Sequence, residues 1–332
     1  MFRWRGSGIC QLPIVAALAA FVSLISFPVP EQGIPSDLPE TGEYRISVNV
    51  GLVVLPVVVT DRKGKAVSGL EAESFHVFDD GRPQQIALFE SEDVPVTVGL
   101  VIDNSGSMRN KLPEVIAAAE EFAKSSNPHD EMFVVNFNQT VSMGLPEGVP
   151  FTSDVNQLTG AVSQNRASGN TALYDGLAAA LHHMKAGTAS RKALIVISDG
   201  GDNASQLSLQ QLLARAQASN VQIYTLGVFD DMFAGKDMGV LKRLARVTGG
   251  KAYFPDSPSQ ITGVCQQIAQ DLRHQYTIGY RPSDTNLGGI YHSIRVTARR
   301  TGDGWLRVHT RTSYFMPPEM QSALPAPAKA SL

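Results

Sequence analysis

Cysteine is nearly absent: Cys10 and Cys265 are the two in 332 residues. A disulfide-stapled scaffold is therefore excluded, as is any zinc site built from four thiolates. Excess charge of one sign is also scarce, since 28 basic against 31 acidic side chains leave a net charge of −3. No global basic field is present to recruit nucleic acid or an anionic membrane. Several catalytic signatures are missing too: the chain holds no H-E-x-x-H, no G-x-S-x-G elbow and no Walker loop. His182 and His183 are neighbours on a helical stretch, about 100° apart, and cannot share a metal-binding face. What remains is a globular composition, in which 43% hydrophobic and 18% charged residues exclude a wholly disordered chain. The length suits a main domain with a smaller companion.

Residues 1–27 open with a basic pair, Arg3 and Arg5, followed by the apolar run Leu12–Phe27. A basic region leading into such a run reads as a secretory signal or membrane anchor; the run is longer than a typical signal's apolar region and shorter than the ~20 residues of a comfortable span, so both fates stay open. The chain is accordingly expected to be exported, to the periplasm and cell envelope or to the medium. Residues 28–43 are Pro-rich, acidic and aperiodic, which predicts a linker.

Strand patterns begin at Tyr44 and fill residues 44–92. Ile46–Val50 alternates, Leu52–Thr60 is β-branched, and Ser74–Phe78 and Gln84–Phe89 flank the turn Asp79-Asp80-Gly81-Arg82. Between 93 and 275 the rhythm changes to alternating strands and helices. Val96–Ile102, Met132–Phe137, Ala193–Ser198 and Val221–Val228 are continuous apolar strands. Pro113–Lys124, Ala172–Met184, Leu207–Ala218, Met238–Val247 and Ser259–Leu272 carry helical stripes. Uninterrupted apolar strands separated by helices predict a doubly wound, mostly parallel sheet covered on both faces. Over 276–316 strands return at Gln275–Tyr280, His292–Ala298 and Leu306–Tyr314. They are expected to complete a small all-β sandwich with the N-terminal strands, the α/β unit being inserted between them. Residues 317–332 are Pro/Ala-rich and predict a disordered tail.

The first apolar strand of the α/β region runs into Asp103-Asn104-Ser105-Gly106-Ser107. In a doubly wound sheet, ligands bind beyond the carboxyl ends of strands. Asp-x-Ser-x-Ser puts a carboxylate and two hydroxyls on one turn, an all-oxygen set that suits a hard cation such as Mg²⁺. An ordinary polar turn capping a helix would use the same residues. Two further pieces tip the balance. Thr171 offers a third hydroxyl just before a helix, and Asp199 a second carboxylate at the end of another buried strand.

With these pieces in order, the sequence resembles the von Willebrand factor type A domain, whose metal-ion-dependent adhesion site has the pattern D-x-S-x-S…T…D. Together with the strand-rich segment before it and the closing QYTIGY, it resembles more closely the VWFA-related proteins of Acidobacteria. The resemblance implies that Ser105, Ser107 and Thr171 approach a divalent cation directly or through water. It implies that Asp103 and Asp199 act mostly through bound water. Mg²⁺ is the expected ion, with Mn²⁺ as its substitute. The partner it implies is a protein that supplies an Asp or Glu carboxylate. No catalytic residue is assigned and the chain is not expected to be an enzyme. An Mg²⁺-dependent enzyme and a structural envelope protein with a vestigial site are the competing classes.

Overall fold

A computed structural model of the protein describes residues 52–199, 201–229, 238–283, 291–300, 302 and 304–316. The expectations for residues 1–43, for the strand at Ile46–Val50 and for the tail at 317–332 lie outside them. Strands β1 (Val53–Thr60), β2 (Phe75–Asp79), β3 (Arg82–Gln84) and β4 (Ile86–Glu90) come first. The α/β part follows with β5 (Val96–Asp103), α1 (Leu112–Ser125), β6 (Glu131–Phe137), β7 (Val141–Met143), α2 (Val155–Ser163) and α3 (Leu173–His183). It continues with β8 (Arg191–Ser198), α4 (Leu209–Ala218), β9 (Gln222–Gly227), α5 (Met238–Thr248), β10 (Ala252–Tyr253) and α6 (Ile261–Arg273). Next come β11 (Tyr276–Tyr280), β12 (Tyr291–Arg300), β13 (Gly304–Trp305), β14 (Arg307–His309) and β15 (Ser313–Phe315).

The α/β part is a six-stranded sheet in the order β10-β9-β8-β5-β6-β7. All neighbours are parallel except the edge pair β6–β7. Every residue of β5 is buried, which is why its sequence shows an unbroken apolar run and no alternation. Helix α1 packs against α2 and α6, and α4 against α3 and α5, giving the helical layers of a doubly wound fold. The starts of α2 and α4 are satisfied locally, the first by the Asp154 side chain accepting from the Gln157 N–H. At α4 a capping box pairs the Ser208 side chain with the Gln211 N–H and the Gln211 side chain with the Ser208 N–H.

The flanking strands form the expected sandwich. One sheet runs β14-β1-β11-β4, and the other runs β13-β12-β2-β3 with β15 paired to β12. Its core includes Leu55, Val57, Val59, Phe75, Val77, Tyr276, Ile278, Ile294 and Val296. Burying each aliphatic side chain of this size stabilises the fold by about 1.5–3 kcal/mol relative to leaving it in water. Two strand expectations are corrected in detail. The stretch Gln84–Phe89 is not one strand, since β3 closes a hairpin with β2 whereas β4 crosses to the other sheet and pairs with β11. Leu306–Tyr314 likewise splits into β14, which pairs with β1, and β15, which pairs with β12. Strands that change sheets at a corner let so short a chain close both layers.

Side chains join the two parts. Arg191 Nε donates to Thr277 Oγ1 at 3.1 Å, and Gln275 Nε2 donates to Gln222 Oε1. Buried Arg311 reaches Asn220 Oδ1 at 3.0 Å and the Val54 carbonyl at 2.8 Å.

Candidate functional site

From β5 the chain first enters β6 on one side and later crosses to β8 on the other, so strand order reverses at β5. The loops leaving the carboxyl ends of β5 and β8 therefore lie at a topological switch point, where sheets of this kind form the crevice that usually holds a ligand. Asp103 is the last residue of β5 and is fully buried. Its Oδ1 accepts from the Ser105 N–H at 2.8 Å, closing a tight turn that swings the loop over the strand end. Its Oδ2 accepts from Ser198 Oγ, at the end of β8, at 2.6 Å. Burial pushes the Asp103 carboxyl up to about 6. The hydrogen bonds from Ser198 and Ser105 pull the other way, and the negative charge of nearby Asp199 adds to the rise.

The turn places Ser105, itself buried, with its Oγ 3.1 Å from Ser107 Oγ, while Ser107 faces solvent. Backbone bonds dock the loop before α3 against this turn. The Ser168 N–H donates to the Asn104 carbonyl at 2.9 Å and the Gly106 N–H donates to the Gly169 carbonyl at 3.1 Å. Thr171 is buried at the end of that loop. Its N–H donates to Asn203 Oδ1 at 2.8 Å, and its carbonyl accepts from the N–H groups of Asn203 at 3.0 Å and Ala204 at 3.1 Å. Asp199 follows β8, one residue beyond Ser198, with Lys111 Nζ 4.0 Å from its Oδ2. The structure thus gathers Asp103, Ser105 and Ser107 on one turn. It binds the Thr171 loop to that turn through the backbone and sets Asp199 on the neighbouring strand end.

Sequence reasoning missed the residues that hold this arrangement. Ser198 is a buried serine in an otherwise apolar strand, which was its signal. Asp202, Asn203 and Ser205 look like a solvated loop but hold the start of α3. Ser205 Oγ accepts from the N–H groups of Tyr174 at 3.0 Å and Asp175 at 3.2 Å, and itself donates to Asp202 Oδ1 at 2.6 Å. Cys265 sits in the α/β core, where burial pushes its thiol up to about 12, so it carries no thiolate at neutral pH. His183 stands with its ring 4.5 Å from that of Phe133 and a nitrogen 2.8 Å from the Pro150 carbonyl, a packing position away from the crevice residues.

The family model described as von Willebrand factor type A domain matches residues 97–267. No curated protein matches the chain. Among solved structures, a von Willebrand factor type A protein from Catenulispora acidiphila is 14% identical, with a TM-score of 0.50. That match covers 84% of this chain and 77% of the other, and at such identity the likeness is one of fold. The conserved hypothetical protein BatB from Bacteroides thetaiotaomicron is 17% identical over 53% of this chain and 98% of its own, with a TM-score of 0.43. The vWF domain of the type V pili tip protein Mfa5 from Porphyromonas gingivalis is 17% identical over 54% of this chain and 95% of its own, with a TM-score of 0.46.

Proposed function

Because the chain belongs to the von Willebrand factor type A domain family, we propose that it is an exported, metal-dependent protein-binding module. In this reading Ser105, Ser107 and Thr171 hold the cation directly or through water, with Asp103 and Asp199 acting mostly through bound water. The crevice suits such an ion. The observation that carries the reading is the 3.1 Å spacing of Ser105 Oγ and Ser107 Oγ on the turn after β5. Adjacent oxygens around an octahedral ion with bonds of about 2.0–2.1 Å lie roughly 2.9 Å apart. The donor set is all oxygen, which favours Mg²⁺, or Mn²⁺ in its place. Asp103 has both oxygens already committed to Ser105 and Ser198, which supports an orienting role at one remove from the ion. A cation held mainly by neutral hydroxyls stays electrophilic and supplies an open position for an anionic oxygen.

The partner is accordingly a protein presenting an Asp or Glu carboxylate, and nucleic acid is not among the expected partners. Export is supported by the basic and then apolar stretch within residues 1–27. In this reading the strands within residues 52–92 and 276–316 form one β module and residues 93–275 carry the metal-binding unit. The test is capture from envelope extract by the full chain, with Mg²⁺ and with EDTA, for the unaltered protein and Thr171→Ala. Capture is expected to need the cation and to weaken about 30-fold or more in Thr171→Ala, since truncating one side of a buried charge contact costs about 2–5 kcal/mol. Chelation and the substitution break the same bridge, so their effects are expected to overlap and not add. Capture that persists in EDTA sinks the reading.

A further inference from the structure

A second cluster of ligating side chains lies in the β-sandwich, outside the crevice. β2 ends at Asp79, paired across the hairpin with Arg82. The two turn residues, Asp80 at φ 45° and Gly81 at φ 78°, both adopt the left-handed conformation that a two-residue hairpin requires. Strand β12 pairs with β2 on its other side, which brings His292 and Ser293 against this turn. One ligand atom from each of Asp79, Asp80 and His292 then lies within 4.8 Å of the other two. His292 Nδ1 is 2.8 Å from Asp80 Oδ2 and 3.7 Å from Asp79 Oδ1.

Each carboxylate is held by its other oxygen. Asp79 Oδ2 accepts from the hydroxyls of Tyr280 at 3.0 Å and Tyr314 at 2.8 Å. Burial pushes both tyrosines up, so they remain protonated donors. Asp80 Oδ1 accepts from the Ser293 N–H at 2.8 Å and Ser293 Oγ at 3.0 Å, and that backbone bond helps hold the Asp80 carboxyl below the usual range. The His292 ring stacks on Tyr314 with centroids 5.1 Å apart. What remains is Asp79 Oδ1. Its residue is 6% exposed, and this oxygen is buried and accepts no hydrogen bond from any described residue. A buried carboxylate oxygen without a donor costs on the order of 1–3 kcal/mol or more, unless something cationic reaches it.

We propose that Asp79, Asp80 and His292 form a binding site for a divalent transition cation of the zinc class. The ligand spacings, 2.8 and 3.7 Å, straddle the edge of about 3.4 Å expected around a tetrahedral ion with bonds of about 2.0–2.1 Å. One imidazole with two carboxylates selects a zinc-type ion over Mg²⁺, which takes oxygen ligands and keeps its waters. The tyrosine and serine donors fix the carboxylates as supporting groups do around known metal ligands. The Asp80 side chain is 43% exposed, which leaves an entry path and a position for water. A bound ion would clasp the β2–β3 turn to β12, and through Tyr314 to β15. The site shares no residue with the crevice at β5 and does not depend on how that crevice is read.

The test titrates the full chain with Co²⁺ in saturating Mg²⁺, and repeats the titration in the Asp103→Ala chain. One equivalent of Co²⁺ with visible ligand-field absorption is expected in both, displaced by Zn²⁺ and indifferent to further Mg²⁺. His292→Gln and Asp80→Asn should each weaken it by at least about 10–100-fold. If His292→Gln fails to fold by circular dichroism, Asp80→Asn at the half-exposed position decides alone. Absence of Co²⁺ uptake overturns the proposal, as does uptake that survives Asp80→Asn or vanishes in Asp103→Ala.

Discussion

Ser198 at the end of β8 donates its hydroxyl to Asp103 at the end of β5, 2.6 Å away, joining two neighbouring parallel strands at the floor of the crevice. The acceptor is a buried carboxylate, so this is a charge-assisted bond in a low-dielectric position. Ser198→Ala should cost about 1.5–3 kcal/mol in urea denaturation and should reduce the extra stability conferred by Mg²⁺. Loss of stability with an unchanged Mg²⁺ increment would separate Asp103 from the proposed ion.

The same burial makes the site pH-sensitive, with a definite sign. Burial pushes the Asp103 carboxyl up to about 6, against 3.8 for an ordinary Asp. Between these values the folded chain holds a proton that the unfolded chain has released. This group therefore favours folding below about 3.8, and that contribution is lost as pH rises through about 6. Cation binding, as proposed for this site, needs the ionised form and runs the opposite way. The Mg²⁺-induced rise in melting temperature should shrink as pH falls through about 6, whereas the metal-free Asp103→Asn chain should lack the corresponding slope. A Mg²⁺ increment constant from about pH 7 to about pH 5 contradicts this assignment.

Legibility in the sequence followed burial. The runs Val96–Ile102 and Ala193–Ser198 are readable because parallel strands covered on both faces need no polar alternation, and the structure extends them only to Asp103 and back to Arg191. Helix α2 was missed although its buried side chains, Leu158, Ala161 and Val162, keep the i, i+3, i+4 spacing of a helix. The corners at Gln84–Phe89 and Leu306–Tyr314 were missed because alternation carries on while a strand changes sheets. At the crevice, Asp-x-Ser-x-Ser is contiguous and could be read. Its supports could not, since Asn203 reaches Thr171 from 32 residues away and Ser198 reaches Asp103 from 95. Only the fold makes them neighbours.

The junction between the α/β part and the sandwich depends on an absent side chain. Gly249 has φ 81°, and a Cβ there would stand 2.3 Å from the Arg311 backbone nitrogen. Gly64 has a similar φ of 84° in open space. Both alanine variants carry the left-handed penalty of about 1–2 kcal/mol, but only Gly249→Ala adds a backbone clash. It should lose clearly more stability than Gly64→Ala in parallel denaturation curves. It should also loosen Arg311, whose guanidinium holds the Val54 carbonyl and Asn220. Equal losses at the two glycines would mean that the junction yields easily.

Strand β1 lies between β11 and β14, so both of its neighbours come from the C-terminal side of the α/β unit. Ending the chain at Gln275 removes both and strips the cover from Leu55, Val57 and Val59, which are fully buried. Each of these forfeits about 1.5–3 kcal/mol of burial, and β1 becomes an unpaired apolar edge of the kind that aggregates. The six-stranded sheet keeps every neighbour, because β5 to β10 and their helices all precede the cut. The truncated chain should therefore aggregate, or be clipped by protease within residues 52–92. A resistant fragment spanning roughly the α/β part should persist in either case. Protease mapping with size-exclusion chromatography measures both outcomes. A monomeric, uncleaved truncation would show that β1 is held by the α/β part alone, and the sandwich would then not be a shared structure of the two ends.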